Sequence, residues 1–145
     1  MKTNVMIVRS PYYQEIADQL TRGAKIYLKE NNCDFDIFDV SGALEIPLAI
    51  KYGISSAERD YNAYIALGCV IRGETSHYDI VAGESARGLM DLMLEHDVPI
   101  GNGILTCDTK EQAITRADTA EKNKGRDAAQ AALALFKLKR ELHAV

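Results

Sequence analysis

The segment AYIALGCVIRGETSH, residues 63–77, decides the fold. Its first five residues form a continuous apolar run, which is typical of a central parallel strand covered on both faces. The run then gives way to a junction that contains glycine, charged and hydroxyl side chains, and a helical pattern of apolar residues follows over 78–96. A buried strand joined to a helix in this way predicts an α/β fold.

On both sides of this segment, short apolar runs alternate with longer amphipathic segments. Strands are predicted over 5–8, 35–40, 63–67 and 99–106, and helices over 14–29, 45–58, 78–96, 110–118 and 126–143. This order predicts a three-layer sandwich in which a four-stranded parallel sheet carries helices on both faces. No linker, composition shift or repeat divides the chain, so residues 1–145 are expected to form a single domain.

The composition is that of a globular protein and limits its partners. Hydrophobic residues make up 47% of the chain, charged residues 26%, and the net charge is −4, so neither disorder nor a nucleic-acid or membrane partner is expected. No apolar stretch reaches the length of a membrane span. Three cysteines without a CxxC pair indicate reduced thiols and a cytoplasmic location, and no cluster has metal-ligand spacing, so no metal is expected.

Four junctions are candidates for a binding site, because ligands of open parallel sheets bind beyond the carboxyl ends of the strands. They are residues 9–13, 41–45, 68–77 and 101–109. In the third junction, Gly73 is suited to a turn with positive φ, and the N–H groups of Glu74 and Thr75 precede a helix. These features fit an anion such as phosphate, and plain helix capping by Thr75 or Ser76 is the alternative.

Further side chains at the junctions suit chemistry, and each also has a structural interpretation. His77 lies at a helix start that disfavours the imidazolium, which suits proton transfer near neutral pH, although capping is an alternative. Tyr12 and Tyr13 offer a face for a flat heterocycle, or one of the two rings packs on the sheet edge. Glu45 opens a helix, where a carboxylate also complements the dipole. Arg116 and Lys124 flank a turn, where they either reach a phosphate or carbonyl oxygen or remain solvated.

Five segments combine into a recognisable order: residues 42–47 (GALEIP), 66–79 (ALGCVIRGETSHYD), 103–106 (GILT), 111–116 (EQAITR) and 123–125 (NKG). In order and spacing they resemble the 6,7-dimethyl-8-ribityllumazine synthase family, with residues 70–79 the most specific part. The resemblance implies a flavodoxin-like fold and the penultimate step of riboflavin biosynthesis. That step condenses 5-amino-6-(D-ribitylamino)uracil with 3,4-dihydroxy-2-butanone 4-phosphate, the two small-molecule partners, without a cofactor or metal.

The resemblance also implies roles for individual residues. His77 matches the family's proton-transfer histidine, and Arg116 matches its phosphate-clamping arginine. The other matched positions are Glu74 and Thr75 for the phosphate, Tyr12 for stacking, Ala43, Leu44 and Glu45 for the ribityl chain and ring edge, Cys69, Val70 and Ile71 for backbone hydrogen bonds to the ring, and Lys124 near the ring.

The sequence also departs from the family pattern. The family often has phenylalanine at the position of Tyr12, so the stacking ring of this chain carries a hydroxyl group. Ser41 stands where the family usually has proline. Asn102 replaces a phenylalanine that the neighbouring subunit places against the ring, exchanging stacking for a hydrogen bond. A non-catalytic paralogue that binds riboflavin or lumazine is therefore the alternative to an enzyme. The family assembles as pentamers whose active sites lie between adjacent subunits, so a homopentamer or decamer is expected in preference to a shell.

Overall fold

The computed structural model describes residues 2–143, which form one parallel sheet flanked by helices. The four strands of the sheet are β1 (Thr3–Arg9), β2 (Cys33–Asp39), β3 (Ala63–Ile71) and β4 (Ile100–Cys107), in the order β2-β1-β3-β4. The helices are α1 (Gln14–Glu30), α2 (Ile46–Ile54), α3 (His77–His96), α4 (Lys110–Ala117) and α5 (Lys124–Glu141), and a 3₁₀ turn spans Ala43–Glu45. The predicted α/β class and parallel four-stranded sheet are confirmed.

Two layers of helices cover the two faces of the sheet. On β1, Val5 and Ile7 point to one face, where they join the core formed with α1, α4 and α5. Met6 and Val8 point to the other face and pack with α2 and α3. Successive side chains of a strand alternate between faces, so a strand that is apolar at every position needs helices on both sides. The three-layer arrangement therefore follows from the apolar runs.

Two glycines let α5 approach its neighbours closely. A Cβ atom at Gly101 of β4 would collide with the carbonyl oxygen of Ala128, and one at Gly125 would collide with the carbonyl oxygen of Leu20 on α1. The backbone of α5 therefore packs directly on β4 and α1, with no room for a side chain in between.

The sequence was less informative about where elements end. β3 continues to Ile71 rather than ending at residue 67, because β4 pairs with it through Cys107. The second helix begins at Ile46 and ends at Ile54 instead of spanning 45–58, and Glu45 belongs to the 3₁₀ turn that precedes it. The prediction of positive φ at Gly73 is wrong, since no glycine of residues 2–143 has positive φ. Within the same residues, no helix has both the length and the apolar character needed to cross a membrane.

Candidate active site

A cavity of about 290 Å³ opens at the carboxyl ends of β1 and β3. It brings together eight of the residues singled out from the sequence: Tyr12, Ala43, Leu44, Glu45, Cys69, Val70, Ile71 and His77. Its remaining wall consists of Ser10, Tyr13, Gly42 and Val81. Three of the four junctions therefore meet at one site, as the rule for parallel sheets predicts.

Arg9 fixes the end of β1, next to the cavity, through two ion pairs. Its guanidinium lies 2.7 Å from Asp39 and 3.0 Å from Asp18, so it ties β1 to the end of β2 and to α1. The hydrogen bond to Asp39 raises the pKa of Arg9 and keeps the side chain charged. One residue later, the N–H of Ser10 donates to the carbonyl oxygen of Leu67 at 2.9 Å. The chain then turns away from the sheet and forms the cavity rim.

The aromatic rim is formed by Tyr12 and Tyr13. Tyr12 is 75% exposed, and its ring meets that of Tyr13 edge to face, with centroids 5.0 Å apart. One face of the Tyr12 ring is thus left free to stack on a flat ligand. Burial raises the pKa of Tyr13 above its ordinary value, so this phenol stays neutral at physiological pH.

The 3₁₀ turn supplies a carboxylate with a fixed position. The Ser41 hydroxyl donates to Oε1 of Glu45 at 3.0 Å, and the N–H of Glu45 donates to the carbonyl oxygen of Gly42 at 3.1 Å. Both bonds fold the residue back over its own loop. The second carboxylate oxygen can then accept a hydrogen bond from a ligand hydroxyl.

The floor of the cavity is the end of β3, where one edge of the strand is unpaired. Pairing between β1 and β3 stops at Leu67, whereas β4 pairs with β3 as far as Ile71. Peptide groups of a parallel strand alternate in direction, so those of Cys69 and Ile71 point toward the missing β1 partner. These groups are available to hydrogen-bond the edge of a heterocycle.

Cys69 is a floor residue and not a nucleophile. Burial raises the pKa of its thiol to about 12, and the thiolate is the nucleophilic form of cysteine. The side chain therefore contributes a neutral surface at physiological pH.

A turn of free N–H groups connects the floor to α3. Within residues 2–143, the backbone N–H groups of Gly73, Glu74 and Thr75 donate to no protein acceptor. Ser76 precedes the helix without a side-chain capping bond, whereas the Thr75 hydroxyl accepts from the N–H of His77 at 3.3 Å. Capping by Thr75 thus accounts for one N–H group, and the N–H groups before it remain open to an anion. Neither Glu74 nor Thr75 lines the cavity itself; both lie beside it.

His77 is the first residue of α3 and reaches the cavity from the helix start. Its imidazole makes no hydrogen bond to another group of residues 2–143. The residue is exposed. It lines the cavity together with Val81, which lies one helical turn further along α3. It is placed to exchange protons with a ligand in the cavity.

Three of the predicted site residues lie elsewhere on the same chain. Arg116 is on α4, on the opposite face of the sheet from α3, and donates to the carbonyl oxygen of Gln112. Lys124 begins α5 and pairs with Asp127 at 3.3 Å. Asn102 pairs with Ala66 in the middle of the sheet, which is roughly 10 Å along β3 from Cys69. Within one chain these three residues do not join the cavity.

Some wall residues were not singled out from the sequence, although local signals existed. Ser10 belongs to the first junction and Gly42 to the second. Val81 follows His77 by four residues and so shares its helix face. Among residues 2–143, no group of three His, Cys, Asp or Glu side chains converges as metal ligands would.

Comparison with known proteins matches the chain to one family. Residues 2–140 match the family model described as 6,7-dimethyl-8-ribityllumazine synthase. A protein of that name from Azorhizobium caulinodans is 53% identical over 139 residues, which cover 94% of this chain and 86% of the relative. Another from Agrobacterium fabrum is 47% identical over 144 residues, which cover 97% of each.

Proposed function

The chain belongs to the 6,7-dimethyl-8-ribityllumazine synthase family, and we propose that the cavity beyond β1 and β3 is its active site. The enzyme condenses 5-amino-6-(D-ribitylamino)uracil with 3,4-dihydroxy-2-butanone 4-phosphate and releases phosphate and water. The product is 6,7-dimethyl-8-ribityllumazine, in the penultimate step of riboflavin biosynthesis. One observation supports this site above all. The Tyr12 ring, the Glu45 carboxylate and the His77 imidazole line one cavity, and a turn with free N–H groups lies beside it.

The pyrimidinedione lies between Tyr12 and the end of β3. The free face of Tyr12 stacks on the ring, and the unpaired peptide groups of Cys69 and Ile71 pair with its carbonyl and N–H groups. A flat heterocycle with alternating donors and acceptors matches the edge of a strand in the same way as a neighbouring strand does. The exposure of Tyr12 and the early end of β1 support this placement.

The ribityl chain lies along the 3₁₀ turn, over Ala43 and Leu44. Glu45 accepts a hydrogen bond from one of its hydroxyl groups, since only one carboxylate oxygen is held by Ser41. A charged acceptor forms stronger hydrogen bonds than a neutral one, so this contact selects a polyol substituent over an apolar one.

The phosphate of the second substrate lies on the turn that contains Glu74 and Thr75. Free N–H groups at the start of a 20-residue helix form an anion site, because the N–H dipoles and the helix dipole both favour negative charge. This places the butanone carbon atoms beside the amine of the first substrate and next to His77.

The chemistry requires proton transfer and positioning. The 5-amino group attacks the butanone carbonyl, water leaves to form an imine, phosphate is eliminated, and the ring closes by attack of the ribityl-bearing nitrogen with loss of water. His77 accepts and returns protons in these steps. Holding two reactants together supplies much of the acceleration, and no step calls for a cofactor.

The complete site is formed by two chains of a homopentamer or a larger assembly. Asn102, Arg116 and Lys124 of one chain then face the cavity of its neighbour, where Arg116 clamps the phosphate. Two findings support this: these residues lie apart from the cavity of their own chain, and α3 exposes Ile80, Met90 and Leu94. Exposed apolar side chains on one helix are typical of a protein interface.

The proposal also covers the domain organisation of the protein and its location in the cell. Residues 1–145 form one lumazine synthase domain, supported by the single sheet that all four strands share. The protein works in the cytoplasm, which is supported by the unpaired thiols of Cys33, Cys69 and Cys107.

Product formation tests the proposal. Purified protein mixed with both substrates should produce the fluorescent lumazine, and mixtures that lack either substrate should not. A protein that binds riboflavin or lumazine but forms no product from the two substrates would contradict the proposal.

A further inference from the structure

We propose that Arg72 is a positioning residue for phosphate binding, because its guanidinium braces the Gly73–Ser76 turn against the end of β4. The inference rests on the proposed function, in which this turn binds the phosphate of the second substrate. Arg72 does not line the cavity, so its effect passes through the turn.

The side chain of Arg72 spans the turn from one flank to the other. Its Nε donates to Oδ1 of Asp108 at 2.9 Å, just beyond β4. Its Nη1 lies 3.5 Å from Oδ1 of Asp79 in the first turn of α3. The guanidinium carbon is 4.2 Å from the centroid of the Tyr78 ring, on which the group stacks. The guanidinium plane is therefore held by three side chains, one just beyond β4 and two at the start of α3.

The turn itself has little to hold it. The N–H groups of Gly73, Glu74 and Thr75 make no backbone hydrogen bond within residues 2–143, which is what leaves them open to an anion. The turn's geometry is then set by its flanks. On the strand side, the N–H of Arg72 donates to the carbonyl oxygen of Cys107 at 2.9 Å, and on the helix side the guanidinium holds Asp79 and Tyr78.

From Asp108, further hydrogen bonds lead to Arg116. The N–H of Asp108 donates to Oε1 of Gln112 at 2.8 Å, and Gln112 closes a capping box with Thr109 at the start of α4. The carbonyl oxygen of Gln112 accepts from the guanidinium of Arg116 at 3.1 Å. One hydrogen-bonded path thus joins the phosphate-binding turn of one site to the phosphate-clamping arginine, which serves the next site in the proposed assembly.

Arginine is suited to this task and lysine is not. A guanidinium offers donors in a fixed plane that also stacks on an aromatic ring, whereas an ammonium is a point charge on a flexible stem. The side chain of Arg72 is 47% exposed, so each ion pair alone contributes little. The combined geometry is what a lysine cannot reproduce.

The experiment compares Arg72→Lys, Arg72→Gln and Asp108→Asn with the wild-type enzyme. The matched control is Arg59→Lys, because Arg59 also pairs with a carboxylate and stacks on an aromatic ring, at a surface remote from the cavity. The KM for the phosphate substrate and the Kd for inorganic phosphate, measured by calorimetry, are expected to rise about threefold to tenfold in the Arg72 and Asp108 variants. The KM for the pyrimidine substrate and kcat should change by less than about twofold.

The results separate this inference from its competitors. If Arg72→Lys retains the wild-type KM and Kd, the residue acts only through its charge and the inference is wrong. The inference would also be overturned if Arg59→Lys weakened phosphate binding as much as Arg72→Lys does. It would be overturned too if the effects of Arg72→Lys and Asp108→Asn on phosphate binding added in the double variant, because an interaction that two residues share can be lost only once. A wild-type protein that forms no lumazine would contradict the proposed function instead, and phosphate calorimetry would still test the brace. Should Arg72→Gln fail to fold, Asp108→Asn provides the same comparison.

Discussion

Ser41 and Glu45 form a hydrogen bond of 3.0 Å between hydroxyl and carboxylate that fixes the acidic group at the mouth of the cavity. The two residues are linked by a turn in which Gly42 leaves little space, because a Cβ there would lie 2.9 Å from Oε1 of Glu45. A carboxylate held in this way loses less rotamer entropy when it binds a ligand hydroxyl. The resemblance implies a proline at position 41, and a proline has no hydroxyl that could donate this bond as Ser41 does.

Replacing Ser41 with alanine should therefore weaken binding of the pyrimidine substrate. The lost hydrogen bond to a charged group near the surface corresponds to about 1 kcal/mol, or roughly a fivefold rise in KM for the ribitylamino substrate. The KM for the phosphate substrate and kcat should stay near wild type in steady-state assays. Ser56→Ala is the control, since the Ser56 hydroxyl also forms hydrogen bonds, which it accepts from the N–H groups of Glu58 and Arg59, but lies in a remote loop. A Ser41→Ala enzyme with unchanged KM would show that Ser41 does not position Glu45 for the ribityl chain.

His77→Ala should lower kcat by at least about tenfold if the imidazole transfers protons. The KM values should change little, because proximity of the two substrates is retained. His143→Ala, at an exposed position near the end of α5, should leave kcat as in wild type. An unchanged rate in His77→Ala would remove the residue from the mechanism.

The sequence predicted the candidate site best where its residues lie in short junctions after strands. Tyr12, Glu45 and His77 lie in the junctions after β1, β2 and β3, and the rule for strand ends is enough to bring them together. The resemblance implied backbone hydrogen bonds from Cys69 and Ile71, but the residue pattern alone could not show the unpaired strand edge. That edge depends on β1 ending earlier than β4 in the paired sheet.

Contacts between segments that are distant in the chain also could not be predicted from the sequence. Arg72 and Asp108 are 36 residues apart and meet only because β3 and β4 are neighbours, an order that the alternation of elements does not specify. Gly73 looked suited to positive φ from its residue type, yet the turn is made without it. Asn102 was identified by resemblance alone, and its place in the middle of β4 keeps it from its own chain's cavity.

Stability should fall as the pH rises above about 9. Burial raises the pKa of Cys69 from 9.0 and that of Tyr64 from 10.0, each to about 12. A group whose pKa is higher in the folded state stabilises the protein below its unfolded pKa and loses that contribution as the pH rises through the folded value. Urea unfolding at pH 8, 9.5 and 11, at one protein concentration, should give falling midpoints. The decline should be shallower in Cys69→Ala and in Tyr64→Phe, and equal slopes would contradict the assignment.

Gly101→Ala should destabilise the fold more than any surface change on α5. The new Cβ would meet the backbone of Ala128, and a helix can relieve such overlap only by moving off the sheet. Overpacking of this kind costs about 1–3 kcal/mol or more, which denaturant unfolding would detect. Gln130→Ala, at an exposed position of the same helix, should change stability by less than about 0.5 kcal/mol. Equal stability of the two variants would mean that α5 does not rest on β4.

Co-assembly of two impaired chains tests whether neighbouring subunits share a site. His77→Ala disables the cavity of its own chain, and Arg116→Ala disables the clamp that this chain provides. If the clamp serves the neighbour, a mixed assembly contains sites in which an intact cavity of one variant meets an intact Arg116 of the other.

Equal amounts of the two variants, unfolded together and refolded, should then regain activity. With random mixing, about one quarter of the sites have both parts intact, and turnover at low phosphate-substrate concentration should rise well above that of either variant alone. The control is the same two proteins refolded separately and then combined, which should stay at the level of the single variants. If co-refolding gives no gain while affinity capture through a tag on one variant recovers the other, Arg116 acts on its own chain or not at all. The proposal of a shared site would then be wrong even if the enzyme is active.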